Sequence, residues 1–282
     1  MTIAFSSVIA SRPRSIGDIF SVRSLDLREM ESLASPIIVL DNFRVSGQPF
    51  GPHPHAGFSA VTYVFEDSPG SLRSRDSLGN DIVVGPGGIV WTQAGSGVMH
   101  EELPAEADRE LHGLQVFVNL SAKNKLAKPQ VLMLNSVDVP EWESDAGERV
   151  KVVVGTFDGV SSSLAPIEAF SLLDIHLQRE VTFSLENGNN AIVYVITGSV
   201  RAHADGGECR LDTERAVALR GEGRVTLRAS ESAHVVVLSG TDIQEPVVSH
   251  GAFIMNDRSQ IEAAVKRYNA GDMGHLAPLS ER

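Results

Sequence analysis

Short runs of apolar residues, separated by glycine and proline, fill the first half of this chain. The runs are rich in β-branched and aromatic residues, which favour strands. They cover residues 16–20, 37–43, 60–65, 81–84, 89–92 and 111–120. Between two of them stands Gly85-Pro86-Gly87-Gly88, a sequence typical of a turn. This pattern predicts a small β-barrel.

The second half repeats the pattern after an irregular, acidic stretch at residues 135–149, whose composition suits a linker. Its predicted strands cover residues 151–155, 170–177, 180–185, 191–196, 201–203, 216–219, 224–227 and 234–238. We therefore expect an all-β chain of two barrels. The predicted domains are residues 1–137 and 138–282.

The tail after residue 256 is the one segment with a helical pattern. Ser259 and Glu262 have the spacing of a capping box. An apolar stripe at helical spacing follows at Ile261, Ala264, Val265 and Tyr268. Gly271 suits the residue after a helix. The sequence predicts a short C-terminal helix packed against a barrel.

Two pairs of potential metal ligands frame the first predicted barrel. His53 and His55 form one pair, and His100 and Glu102 form the other. Side chains at i and i+2 of a strand point to the same face, about 7 Å apart. Two such strands facing each other inside a barrel would direct three imidazoles and one carboxylate at one point. Glu101, between the second pair, should face the opposite way.

This donor set contains nitrogen and oxygen but no thiolate, so it suits Fe(II), Ni, Co, Mn or Zn. Four protein ligands would leave two positions open on a six-coordinate ion, as a dioxygenase requires for substrate and O₂. A zinc hydrolase more often has three protein ligands and one water. A divalent ion with one carboxylate carries about +1, which would attract a deprotonated enol or phenol.

The order of these motifs resembles that of a cupin, a double-sheet β-barrel. More specifically, His53-Pro54-His55-Ala56-Gly57-Phe58 and Gly95-Ser96-Gly97-Val98-Met99-His100-Glu101-Glu102 resemble the characteristic segments of the pirin family. Further similarity at residues 113–120 and 245–256 extends the resemblance over most of the chain. Two positions depart from the family pattern, because Ala56 and Ser59 stand where pirins usually carry Arg and Glu.

The resemblance implies a bicupin fold whose C-terminal helix leans on the N-terminal domain. It also implies an activity like that of quercetin 2,3-dioxygenases, which open a flavonol ring with O₂ and release carbon monoxide. His53, His55, His100 and Glu102 would hold the metal, with Fe(II) preferred, and Glu102 would also accept the substrate's proton.

Pirins also suggest a different class of function, that of a non-enzymatic iron-binding regulator that acts through contacts with partner proteins. A metal isomerase or sugar-binding cupin is a third alternative, which the pirin-like segments disfavour. The sequence alone separates the first two poorly, since both keep the four ligands.

The composition of the chain indicates which kinds of partner and which cellular compartment to expect. A formal net charge of −12 argues against direct binding to nucleic acid, which needs a basic surface. Cys209 is the only cysteine, which favours a reducing compartment. The N-terminus lacks the pattern of a secretory signal, and no apolar run reaches the ~20 residues of a membrane helix. We expect a cytoplasmic protein with no membrane partner.

Four further histidines lie in predicted strands. His112 should be a hydrogen-bonded histidine of the core or rim. His176, His203 and His234 are separated in sequence and form no His-x-His or His-x-Glu pair. The sequence therefore predicts a second barrel without a metal site.

Overall fold

The computed structural model describes residues 2–279, which fold almost entirely into strands. Among them, no helix is both long enough and apolar enough to cross a membrane. One α-helix, α1, spans Arg258–Ala270. Two 3-10 segments cover Leu27–Ala34 and Ser136–Asp138. The all-β class and the short C-terminal helix are confirmed.

The strands are short, as the frequent glycine and proline predict. Those of the first half are β1 (Ala4–Phe5), β2 (Ile9–Ala10), β3 (Arg12–Ile16), β4 (Phe20–Ser24), β5 (Ile37–Val45), β6 (His53–His55), β7 (Phe58–Val64), β8 (Leu72–Asp76), β9 (Asp81–Val84), β10 (Ile89–Gln93), β11 (Val98–Pro104), β12 (Leu111–Asn119) and β13 (Gln130–Leu134). Those of the second half are β14 (Glu141–Glu143), β15 (Arg149–Val154), β16 (Thr156–Phe157), β17 (Val160–Ser161), β18 (Phe170–Leu177), β19 (Glu180–Leu185), β20 (Asn189–Thr197), β21 (Ser199–Ala204), β22 (Gly207–Asp212), β23 (Arg215–Arg220), β24 (Gly223–Ala229), β25 (Ala233–Thr241), β26 (Val248–His250) and β27 (Phe253–Met255).

Contacts divide the chain into two compact units. One, the first-barrel unit, contains Pro13–Val22, Val39–Ser136 and the chain from Ile243 onward. Its seven-stranded sheet has the order β13-β10-β7-β12-β5-β4-β3, and its four-stranded sheet the order β6-β11-β8-β9. Both sheets contribute to one apolar cluster, which includes Val64, Leu72, Val84, Val90 and Leu111. Two sheets around one core make the first predicted barrel.

The second-barrel unit contains the chain up to Arg12, Arg23–Ile38 and Val137–Asp242. Its larger sheet runs β1-β23-β20-β25-β18-β15-β14, with β2 also pairing with β23. Its smaller sheet runs β19-β24-β21-β22. Inward-facing aliphatic residues of both sheets fill the core, among them Val152, Ile175, Val193, Val200 and Leu227. The second barrel is confirmed.

The N-terminus belongs by its contacts to the second-barrel unit. Strand β1 pairs with β23 so that Ala4 lies opposite Arg220, and Ile3 is 2% exposed within that unit's core. The pairing gives backbone partners to an otherwise open sheet edge. The contacts thus do not follow the contiguous segments 1–137 and 138–282, whose status as folding domains stays a prediction.

Two local predictions were wrong in detail. The stretch predicted as a linker contains β14, which pairs with β15 and packs Trp142 on Phe157 at 5.2 Å. A lone tryptophan among acidic residues gives a strand one buried face, which composition alone does not reveal. The strand predicted at residues 16–20 is instead a turn between β3 and β4, where Gly17 has a φ of +53°.

Helix α1 begins at an Asp257 cap rather than at the predicted Ser259. The Asp257 carboxylate accepts a hydrogen bond from the Gln260 backbone N–H, 2.9 Å away. Gly271 ends the helix with a φ of +79°, as predicted. The apolar stripe packs in the first-barrel unit, in a cluster whose buried members are Ala56, Phe253, Met255, Ile261, Ala264 and Met273.

Candidate metal centre

Strands β6 and β11 bring the two halves of the candidate site together. They pair antiparallel, so that His53 lies opposite His100 and His55 opposite Val98. The register places the three histidines on one face of the four-stranded sheet, as the i, i+2 spacing requires.

The three imidazoles form a compact cluster. One ring nitrogen of each of His53, His55 and His100 lies within 4.8 Å of the others. The Nε2 atoms of His53 and His100 are 3.1 Å apart. Two adjacent ligands at metal–nitrogen distances of about 2.1 Å would be separated by ~3 Å. The spacing of these two nitrogens therefore fits ligands of one ion.

Glu102 lines the same cavity but stands apart from the histidine cluster. Its Oε2 accepts a hydrogen bond from the Thr62 hydroxyl at 2.6 Å. The carboxylate is not among the groups whose ligand atoms all lie within 4.8 Å of one another. Structure thus places three of the four expected ligands around one point, with the fourth beside them.

Burial determines the protonation state of two of the three histidines. His100 is 2% exposed and His55 is 4% exposed. Burial, with the neighbouring His53, lowers the pKa of His55 to about 3, and burial lowers the pKa of His100 well below its usual value. Both rings are therefore neutral at physiological pH, the form that binds a metal ion.

The pKa of Glu102 moves the other way. Withdrawal from bulk water raises it to about 7, although hydrogen bonds from Thr62 and Ser74 oppose the shift. A carboxyl group with such a pKa can both give and take a proton near neutrality.

The surrounding contacts orient the rings only in part. His53 Nδ1 lies 2.9 Å from the Gly51 carbonyl oxygen, so an N–H there turns the Nε2 lone pair toward the cluster. The buried Nδ1 atoms of His55 and His100 have no hydrogen-bond partner among the described residues. Protein contacts alone therefore leave this buried cluster incompletely satisfied, as expected of a site built for another group.

A cavity of about 610 Å³ adjoins the cluster. Its walls are mainly aromatic and aliphatic, and the apolar residues are Phe20, Phe43, Val45, Pro49, Phe50, Pro52, Leu72, Leu111 and Phe117. Phe20 and Phe50 meet edge to face with their ring centres 5.3 Å apart. Gln115 and Asp41 are polar groups in the same wall. The size and lining are those of a pocket for a small organic ligand.

Sequence reasoning missed Thr62 and Gln115 as site residues. Thr62 lies in β7 and Gln115 in β12, and their side-chain oxygens are 3.2 Å apart. Each is a polar residue with an apolar neighbour on either side in its strand. A buried polar position of that kind was the available signal.

The two departures from the pirin pattern have structural counterparts. Ala56 has no exposed surface and exchanges backbone hydrogen bonds with Ala252 and Ile254, at 3.3 and 3.0 Å. Ser59 is 1% exposed and lies opposite Gln93 in the sheet. Neither residue lines the cavity. The small side chain of Ala56 lets the backbone of residues 252–254 lie against the end of β6.

Three other candidate side chains lie outside this histidine cluster, namely Glu101, His176 and His234. Glu101 faces away from the cluster and accepts hydrogen bonds from Gln48 and Arg75 at 2.6 and 2.7 Å, as expected. His176 and His234, which are separated in sequence, come together in the fold. They lie opposite each other on β18 and β25, and their rings stack with centres 4.4 Å apart.

Comparison with known proteins gives one consistent result. Residues 16–118 match the family model described as Pirin, and residues 172–274 match the model of the Pirin C-terminal cupin domain. A Pseudomonas aeruginosa protein named "Putative quercetin 2,3-dioxygenase" is 34% identical over 248 residues, which cover 84% of this chain and 86% of that protein. Human pirin is 32% identical over 250 residues, covering 86% and 84%. The crystal structure of quercetin 2,3-dioxygenase from Acinetobacter baumannii superposes with a TM-score of 0.85 at 24% identity, covering 98% of this chain and all of that one.

Proposed function

The chain belongs to the pirin family of cupin proteins, and from that premise we propose that it is a metal-dependent dioxygenase acting on a flavonol-like substrate. The observation that carries the proposal is the cluster of three imidazoles, with Glu102 beside it, facing an aromatic cavity of about 610 Å³. The name of the Pseudomonas relative, more than 30% identical, supports the same activity.

His53, His55 and His100 would hold the ion through ring nitrogens, and Glu102 would be its fourth protein ligand. We propose Fe(II) as the resident ion, with Ni, Co, Mn and Zn as ions that the same donors accept. Such an ion supplies Lewis acidity and one-electron chemistry when bound. The neutral state of His55 and His100 means that binding does not require them to lose protons.

The residues of the cavity bind and orient the substrate. Phe20, Phe43 and Phe117 offer ring surfaces for a planar aromatic molecule and keep bulk water from one side of it. Gln115 presents a polar side chain in the same wall, which can hydrogen-bond a substrate hydroxyl or carbonyl.

Glu102 is the proposed catalytic residue. Its carboxylate lines the cavity, where it can take the proton of the substrate's enolic hydroxyl and hold it. The Thr62 hydroxyl donates to Oε2 and so orients the carboxylate for that transfer.

We further propose that O₂ is the second substrate and that the protein acts in the cytoplasm.

Glu102→Gln tests this role. The substitution keeps size and one oxygen donor but removes the charge and most of the basicity. We expect the variant to retain metal and to lose activity by about 10²-fold or more. The measurement is quercetin-dependent O₂ consumption and carbon monoxide release, with metal content determined on the same samples. His203→Gln, an exposed position on β21, is the matched control and should keep wild-type activity.

Inactivity of wild-type protein loaded in turn with Fe, Ni, Co and Mn would refute the dioxygenase proposal. The regulator hypothesis predicts that outcome. Under it, affinity for a protein partner should change with the redox state of the bound iron, while wild type and Glu102→Gln are equally inert toward flavonols.

A further inference from the structure

A second cluster of metal-ligating side chains lies in the second-barrel unit, away from the cavity described above. Asp174 and His176 are two residues apart on β18, and His234 lies opposite His176 on β25. One ligand atom of each lies within 4.8 Å of the other two. The two imidazole rings are stacked, with an interplanar angle of 13°, so at least one ring must turn about its side-chain bonds for both to direct a nitrogen at one ion.

The sheet directs these side chains away from the barrel's apolar core. Leu173, Ile175 and Leu177 alternate with them along β18 and belong to that core. Because successive side chains of a strand point to opposite faces, Asp174 and His176 share the other face. Asp174 nevertheless has no exposed surface, and its Oδ1 accepts a hydrogen bond from His234 Nε2.

A carboxylate without solvent is stable only beside positive charge or strong hydrogen-bond donors. Here the His234 imidazole donates to it, the His176 ring stacks on that of His234, and Lys151 lies opposite it on β15. Two histidines and one carboxylate are the ligand set that binds divalent first-row transition ions while leaving other coordination positions open.

The cluster has access to solvent. His176 lines a cavity of about 340 Å³ together with Glu143, Arg149 and Gln178. An ion could enter by this route, and water from the cavity could complete its coordination. The half-buried His176 is therefore the ligand nearest the entrance.

Neighbouring cations set the expected strength of binding. Lys151 lies opposite Asp174 on β15, and Arg149 lies opposite His176. Both cations are near the Glu141 carboxylate, Arg149 at 3.1 Å and Lys151 at 3.8 Å. Their charge disfavours a metal ion, whereas the first cluster has no Lys or Arg among the residues lining its cavity.

We propose that Asp174, His176 and His234 form a second site for a divalent first-row transition metal ion, weaker than the first. The inference does not depend on the proposed dioxygenase activity, since it concerns other residues in the other barrel. It replaces the expectation from sequence that the second barrel has no metal site.

Titration of metal-free protein with Co²⁺ tests the proposal, followed by visible absorption and by native mass spectrometry. Wild type should take up two equivalents of Co²⁺. The second should bind at least about tenfold more weakly than the first. His176→Gln and His234→Gln should each reduce uptake to one. His203→Gln, a histidine of the same barrel outside the cluster, should still take up two.

A protein without the first site isolates the second. His53→Ala, His100→Ala double-variant protein should retain one equivalent with a Co²⁺ absorption band, and adding His176→Gln should abolish it. Circular dichroism and thermal melting establish that each variant is folded. If the double variant does not fold, Co²⁺ uptake by the single variants His176→Gln and His234→Gln tests the proposal. Uptake of one equivalent by wild type at millimolar Co²⁺, or of two by His176→Gln, would overturn the proposal.

Discussion

His112 shows how a single side chain acquires its role from residues that are distant in sequence. It was predicted to be a hydrogen-bonded core or rim histidine, and this is confirmed. Its Nδ1 lies 2.8 Å from Asp67 Oδ1, and its Nε2 lies 3.0 Å from Asn42 Oδ1. The strand pattern predicted burial, but the identity of both partners depends on the sheet order.

The titration of His112 predicts a pH dependence of stability. Burial lowers its pKa, and the opposing charge of Asp67 reverses the shift only partly. The unfolded chain then binds a proton at higher pH than the folded one, so the contribution of His112 to stability is present above pH ~6.5 and declines as pH falls.

We therefore expect the free energy of unfolding of wild type, relative to His112→Gln, to fall between pH ~7 and pH ~5. Urea unfolding of metal-free protein at a series of pH values measures this difference, and the variant controls for all other titrating groups. A difference that grows toward acid pH would show that the pKa of His112 is raised instead.

Glu102, the proposed catalytic residue, likewise depends both on a local motif and on a residue distant in sequence. The His-x-Glu spacing predicted Glu102 as a site residue. Its hydrogen bond with Thr62 joins residues 40 positions apart in the sequence. The elevated pKa of Glu102 also comes from burial among residues of several strands, which no local motif encodes.

At the scale of the element, the position of β6 depends on a close backbone approach at its end. Gly57 has a φ of +86°, and a Cβ there would lie 1.9 Å from the Ile254 carbonyl oxygen. Its own carbonyl accepts a hydrogen bond from the buried Lys125 ammonium at 2.8 Å. Only glycine permits this approach two residues after His55.

Gly57→Ala should therefore cost more than the strain of positive φ alone. Gly159 has a φ of +83° with no atom near its would-be Cβ, so Gly159→Ala is the matched control. We expect Gly57→Ala to lower the free energy of unfolding by about 1–3 kcal/mol beyond the control. It should also weaken Co²⁺ binding at His53, His55 and His100, because β6 must move. Equal losses of stability in the two variants would contradict this account.

At the scale of the whole molecule, the start of the chain completes the core of the barrel formed by the second half. Ile3 is buried among residues such as Val217, Leu219 and Val225. Gly206 and Gly221 approach the backbone of residues 2 and 3, where a Cβ would not fit. A contiguous division at residue 137 would remove these contacts.

Ile3→Ala should lower the free energy of unfolding by about 2–5 kcal/mol, the usual cost of truncating a buried isoleucine. Co²⁺ binding by His53, His55 and His100 should be unchanged, since Ile3 lies in the other unit. Val137→Ala, which alters a 92% exposed side chain, is the control and should be nearly neutral. Calorimetry and Co²⁺ absorption of the same samples measure both effects. A loss below about 0.5 kcal/mol would show that burial of Ile3 contributes little to the fold.

The sequence by itself determined the features that depend on local spacing. The strand-rich pattern required an all-β chain, the i, i+2 pairs put ligands on common faces, and the apolar stripe with Gly271 defined α1. These features need only the geometry of one strand or helix turn. The recurrence of the strand pattern in the second half added the arrangement of two barrels.

Tertiary structure alone decided which distant segments meet. It joined His53 to His100 through the β6–β11 register, brought Thr62 to Glu102, and paired His176 with His234. It also assigned Ile3 to the barrel of the second half. Sheet order and register are set by the collective burial of apolar faces over the whole chain. No short motif contains that information. His176 and His234 are therefore isolated histidines in the sequence but neighbours in the fold.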